Sequence, residues 1–323
     1  VAESHHVAVF ELVALLIGVG LIVWGAEQFA EHLVAASHRL GVTTFALAVL
    51  LAGAEPEELA TAITAGARDV PSVALGDVVG ANVAICLVAL AVGAFTAPLP
   101  FSAATRRYAL LALPAGVLAA VFAWDGNVGR GEGGILVVSY VAYVATIWSR
   151  ERRPPSLGET AELDGSRAST TETRGRIGRD LVLVLVGTAA IVVGASLLVE
   201  AVRRFTDIEA DQVRLSLTVV GFATAFELVV LAWSSARRGV TDAVVAAVVG
   251  SYAYNSTMTL GASALLTRLE IADASLLHLP MLLMLGALIA VLVLSARGGR
   301  LTRGDGVVLL AGYALFVVVT MAA

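Results

Sequence analysis

Lysine is absent from this 323-residue chain, and charge of either sign is scarce: all 21 basic residues are arginine, and only 15% of residues are charged. A soluble globular protein carries about a quarter charged residues, so water is not the main solvent of this one. One cysteine, Cys86, excludes a disulfide framework. The strict apolar–polar alternation of membrane β-strands is missing, which excludes a closed barrel. No basic segment precedes the first apolar run, so a cleaved signal peptide is not expected. Neither a phosphate-binding loop nor a nucleophile paired with a base can be recognised, which disfavours an ATPase or a hydrolase. His5, His6, His32, His38 and His278 are scattered, without zinc-like spacing.

What is present is hydrocarbon. The chain is 58% hydrophobic with a mean hydropathy of +0.88, and runs of about 20 apolar residues, each long enough to cross a bilayer, follow one another. Ten spans are predicted, at 7–34, 42–67, 72–97, 104–123, 133–149, 180–202, 212–236, 241–267, 272–296 and 305–322. Trp24, Trp124 and Trp148 suit anchors at the membrane interface. The long polar stretch "SRERRPPSLGETAELDGSRASTTETRGRIGRD" reads as a flexible linker. Seven arginines lie in it and eight more in the short loops on its side; six lie opposite, diluted by acids such as Asp125, Asp207 and Asp273. The positive-inside bias makes the linker cytoplasmic and both termini external.

The two halves repeat. A shift of 169 residues lays Gly18 on Gly187, Gly25-Ala26 on Gly194-Ala195, Glu31 on Glu200, Glu58-Leu59 on Glu227-Leu228 and Arg68 on Arg237. With one residue inserted, "VVGAN" at 78–82 meets "VVGSY" at 248–252. Five spans per half is an odd number, so the second half lies inverted, an arrangement that transporters use to frame a midplane site. The expected units are 1–149, a linker at 150–179, and 180–323.

Within the second span "LAGAEPEELATA" holds Glu55, Glu57 and Glu58. A charge at the bilayer centre costs about 2.5–3.5 kcal/mol, so these acids must face a partner or a watery cavity. Glu55 and Glu58, three apart, are expected on one helix face with Glu57 pointing elsewhere. Pro56 cannot donate to the carbonyl of Ala52, and with Gly53 it should kink or open the helix. Freed carbonyls beside carboxylates are oxygen ligands of the kind a hard cation such as Ca2+ takes. The matching stretch, "VGFATAFELVVLAWSSARRG", has Glu227 as its one acid, with Thr224 and Gly221 before it. No arginine lies near the middle of either run. Asp77 on the third span is a candidate ligand, capping group or proton carrier, and "SYAYNST" at 251–257 is polar enough to line a cavity.

These stretches, with "GDVVGANVAI" and "AAVVGSYAYN" about twenty residues after each, resemble the calcium/cation antiporter superfamily over nearly the whole chain. Each repeat of that family carries Gly-Thr-Ser-x-Pro-Glu, then Gly-Asn-x-x-Gly-Ser-x-x-x-Asn or Asp. The resemblance implies an all-α membrane protein of ten helices in two inverted five-helix repeats. It also implies Ca2+ ligands at Glu58, Glu227 and the carbonyls of Ala54 and Ala223. Thr224, Ser251 and Asn255 fall where the second repeat supplies further ligands. Both repeats depart from the pattern, the first more than the second. Alanine replaces threonine at 54 and 223, Glu55 stands for a serine, Glu57 takes the proline's place, and Ala81 and Ile85 replace a serine and an asparagine. With these departures the resemblance implies a divalent site on Glu58 and Glu227 without the full set of Na+ ligands.

The expectation is a plasma-membrane antiporter that moves Ca2+ outward against Na+, without a cofactor, catalysis or a nucleic-acid partner. Its partners are inorganic cations and the bilayer, with oligomeric state open. Exchange of a divalent cation for H+ is the alternative, since carboxylates are gained. A non-transporting sensor or degenerate subunit is the rival from another class, and a channel a third option. By the same resemblance spans one and six are sliding gates.

Overall fold

The computed structural model describes residues 13–29, 32, 55–151, 177–239 and 241–322. The protein is a polytopic all-helical membrane protein. Ten helical stretches appear among the described residues: α1 Val13–Phe29, α2 Pro56–Ala67, α3 Pro71–Thr96, α4 Ala103–Phe122, α5 Arg130–Glu151, α6 Ile177–Phe205, α7 Glu209–Arg237, α8 at 241–266, α9 Ser275–Ala296 and α10 Arg303–Ala322. Seven of them are long and apolar enough to cross a membrane. Each coincides with a predicted span to within about three residues, because lipid leaves the backbone no partner but itself. The first part of the second span, Ala54 and most of the linker lie outside the described residues.

The halves match element by element. Wide π-helical turns interrupt α3 at Ile85–Ala89 and α8 at Asn255–Thr259, a shift of 170 residues. Two short ribbons close the ends of the bundle: β1 (Leu99–Pro100) pairs antiparallel with β4 (Arg300–Leu301), and β2 (Asn127–Val128) with β3 (Leu269–Glu270). Exchanging the halves turns β1 into β3 and β4 into β2, so one ribbon becomes the other. The ribbons sit at opposite ends of the spans, since α4 separates β1 from β2. The axis relating the halves therefore lies in the membrane plane, and the repeats are inverted.

Glycine sets the closest approaches. A Cβ on Gly18 would lie 2.9 Å from the Gly194 carbonyl oxygen, and one on Gly25 2.7 Å from that of Gly187. These contacts pair α1 with α6 antiparallel, and the shift of the repeat exchanges them. Beyond them His32 meets Asp180, Nδ1 to Oδ1, at 3.2 Å. A second crossing joins α3 to α7: a Cβ on Gly221 would lie 2.5 Å from the Ala81 nitrogen, and one on Gly80 would strike the Leu217 carbonyl. Helix α3 is buried from Ser72 to Ala91 without interruption. Helices α1, α5, α6 and α10 lie outside it and turn apolar faces such as Leu16, Val138, Leu185 and Val318 outward.

Replacing Gly194 with leucine should cost about 1–3 kcal/mol of stability, because the side chain must displace backbone. The same change at Gly20, which has no neighbour within 4 Å among the described residues, should be close to neutral. Thermal unfolding of both variants in detergent checks the contrast, and equal losses would contradict the crossing.

Candidate cation site

The site begins where two helices start inside the membrane. Glu55 precedes a proline, which disfavours helical backbone; its φ and ψ are −116° and 87°, and α2 begins at Pro56. At the first helical position the missing N–H costs nothing, and the Leu59 amide closes the first turn on the Glu55 carbonyl at 3.1 Å. Among the described residues Pro56 marks a helix start, the opened form of the expected distortion. In the second repeat α7 breaks at Ala225, where ψ falls to −8°, and resumes at Phe226. Glu57 and Glu58 occupy the first turn of α2, and Glu227 the first turn of the resumed α7. The positive end of a helix dipole favours carboxylates there.

Glu55, Glu57 and Glu58 are all buried. The expectation that Glu57 points away from the other two is corrected, because Glu55 lies outside the helix and Glu57 turns inward beside it. Ser251 of α8 donates its hydroxyl hydrogen bond to Glu55. The α3–α7 glycine crossing brings Asp77, one turn before Gly80, against Thr224, one turn after Gly221, and the Thr224 hydroxyl donates to Asp77 at 2.8 Å. Glu58 lies within electrostatic reach of Asp77, Glu57 and Glu227, and the Asn255 amide faces it. Oδ2 of Asp77 lacks a hydrogen-bond partner among the described residues. Glu227 and Ala223 are half-buried, and Ala54 falls outside the described residues.

Positive charge is missing. The sequence has no Arg, Lys or His between 40 and 67, 69 and 105, or 215 and 236. A fully buried carboxylate without a cation is costly and is normally found paired or coordinating a metal. Among the described residues no three His, Cys, Asp or Glu side chains converge into a ready-made metal shell. A hard cation takes six to eight oxygens, carbonyl and hydroxyl groups among them. Carboxylates, the Thr224 and Ser251 hydroxyls and helix-end carbonyls are oxygens of that kind.

The sequence places Asn82 beside Asp77 on the third span without giving it a role; the structure makes it part of this neighbourhood. Its amide, fully buried on α3, donates to Ser256 at 2.9 Å and to the Tyr252 carbonyl at 3.5 Å. The signal available was an amide in a run of otherwise apolar residues.

A family model for sodium/calcium exchanger proteins matches residues 10–149 and 180–322. The inner membrane protein YrbG of Escherichia coli (strain K12) is 24% identical over 319 residues, covering 94% of each chain. The sodium/calcium exchanger MaX1 of Methanosarcina acetivorans is 26% identical over 346 residues, covering 94% of this chain and 97% of the relative. Among solved structures, the sodium-calcium exchanger NCX_Mj soaked with 100 mM Na+ and 10 mM Sr2+ superposes with a TM-score of 0.62 at 17% identity, covering 96% of this chain and 98% of that one. The chain shares that fold.

Removing the uncompensated charge should stabilise the empty protein. Glu58→Gln is expected to raise the apparent melting temperature in the absence of divalent cations and to abolish stabilisation by added Ca2+. A single site at a hundredfold excess over Kd is worth about 2.7 kcal/mol. Thermal unfolding with and without Ca2+ reads both effects, and a full Ca2+ shift in Glu58→Gln would refute the assignment.

Proposed function

The chain belongs to the sodium/calcium exchanger family, and from that premise we propose that it is a secondary antiporter exporting Ca2+ in exchange for Na+. Members of the family are cation transporters rather than enzymes and work without a cofactor. The observation that carries the reading is Glu58: a fully buried carboxylate with no basic residue in the runs that enclose it and the Asn255 amide as the donor it faces, in the first turn of α2 and within reach of its repeat mate Glu227.

On this reading Glu58 and Glu227 hold the divalent ion, with the carbonyls of Ala54 and Ala223 and the side chains of Thr224 and Ser251 as further oxygens. Glu55 and Asp77 complete the acidic wall, Glu55 engaged by Ser251 and Asp77 by Thr224. Competition for the same carboxylates couples the ions. Reorientation is cheap when the acids are charge-compensated, by one Ca2+ or by monovalent cations, and costly when they are bare. Residues 1–149 and 180–323 act as the opposed repeats around this site, with 150–179 as the cytoplasmic linker and both termini outside. The α1–α6 pair, joined backbone to backbone, slides across the remaining helices to change access.

One observation favours a second reading, exchange of a divalent cation for H+. Glu55, Glu57 and Asp77 add three buried carboxylates, while Ala81 and Ile85 carry no oxygen side chain where the resemblance places Na+ ligands.

Uptake of radioactive Ca2+ into proteoliposomes should rise when Na+ is loaded inside and should vanish in Glu227→Gln. Uptake driven by a pH gradient alone would replace Na+ with H+ as the coupling ion. No gradient-driven uptake would refute antiport and leave a sensor or degenerate subunit of the same fold.

A further inference from the structure

We propose that Asn82 is a positioning residue of the cation site: it holds the Asn255 side chain with its amide nitrogen, not its oxygen, turned toward Glu58. The proposal rests on the reading of Glu58 as a cation ligand and deepens it. Asn82 and Asn255 are both fully buried, on α3 and at the start of the π-helical turn of α8. The Tyr252 carbonyl that Asn82 contacts at 3.5 Å can only accept, which fixes the nitrogen end of the Asn82 amide there and on Ser256 at 2.9 Å. Its Oδ1 is left facing α8 and accepts from Asn255 Nδ2 at 3.5 Å. On the other side the Thr259 hydroxyl donates to Asn255 Oδ1 at 3.3 Å. With its oxygen engaged by Thr259 and one N–H given to Asn82, Asn255 has its second N–H to offer Glu58. A group that donates N–H cannot also ligate a cation through that atom.

The arrangement belongs to one repeat only. The shift of 170 residues that superposes the π-helical turns lays Asn82 on Tyr252 and Ile85 on Asn255. Contact between Asn82 and the backbone of its own repeat mate places this pair beside the pseudo-twofold axis. Glu58 therefore faces a held amide donor, whereas the matching position for Glu227 is an isoleucine, which offers none. Two carboxylates that the fold relates are made chemically unequal, and Asn255 acts on Glu58 instead of on the ion.

The test compares the intact protein with N82L, N255A, the double variant and T259V in proteoliposomes, reading half-saturating Ca2+ and maximal rate separately. Outer-sphere changes of this kind typically weaken metal binding about tenfold or more. N82L should raise half-saturating Ca2+ about tenfold with maximal rate within twofold, and T259V, nearly isosteric, should shift it the same way. On the N255A background N82L should change half-saturation less than about twofold, since residues acting through one partner are not additive. Full additivity of N82L and N255A would overturn the proposal, as would a lower maximal rate at unchanged half-saturation. Ca2+-induced thermal stabilisation is read on the same proteins. An intact protein that binds Ca2+ without exchanging it refutes antiport and leaves the coupling to be decided by the binding shifts. One that does neither refutes both readings.

Discussion

A carboxylate held away from both water and positive charge is the constraint on which this structure depends. Glu58 is fully buried, and the stretches that enclose it contain no basic residue. Taking such a group out of water costs several kcal/mol unless something compensates it. Part of the compensation comes from backbone. Helix α2 starts at Pro56 and α7 resumes at Phe226, so the positive ends of two half-helices meet the acids where a side-chain cation would fill the site permanently. Helix ends also leave carbonyls without intrahelical partners. The same breaks thus offer both a field that tolerates anions and oxygens that a cation can use. A fixed arginine would have given a more stable protein and no transport.

Backbone symmetry and side-chain asymmetry are separable here. The ribbons, the π-helical turns and the glycine contacts follow the inverted repeat closely. That is what two opposed access states require, since each half must be able to do what the other has done. The polar groups do not follow it. Glu58 has Glu55 and Glu57 beside it, Glu227 has neither, and Asn255 stands opposite an isoleucine. Selectivity depends on which oxygens and donors a site presents, so divergence between halves can change ion choice without disturbing the packing that lets the halves exchange roles.

The spans and the inverted repeat were legible because lipid restricts composition strongly. Apolar length marks helices, and an acid within such a run is conspicuous. Geometry at helix breaks was less legible. Helical spacing put Glu57 on the far side of Glu58, but a proline-started helix removes Glu55 from that spacing and turns Glu57 inward beside it. The contact between Asp77 and Thr224 depends on a crossing of Gly80 against Leu217 and Gly221 against Ala81, a pairing across 140 residues that no local pattern encodes. The ribbons are two residues each, too short to leave an alternation. Glycines 18, 25, 187 and 194 were visible as a repeat, yet their meaning as mutual contacts emerges once the repeats are known to lie antiparallel.

Those four glycines bear on the proposal that the α1–α6 pair slides. Residues 18 and 25 are two helical turns apart, as are 187 and 194, so α1 and α6 touch backbone to backbone at two points. Two such points fix both the separation and the crossing angle of a pair, which then behaves as one body. The outward faces of α1 and α6 are apolar and exposed, and lipid exerts little resistance to their displacement. Arg68 ties α2 to this pair through Glu200 at 3.3 Å, and both side chains are partly exposed, so this tie is weak and exchangeable. Helix α6 also packs along α2, so a sliding α1–α6 pair must either carry α2 with it or repack that seam.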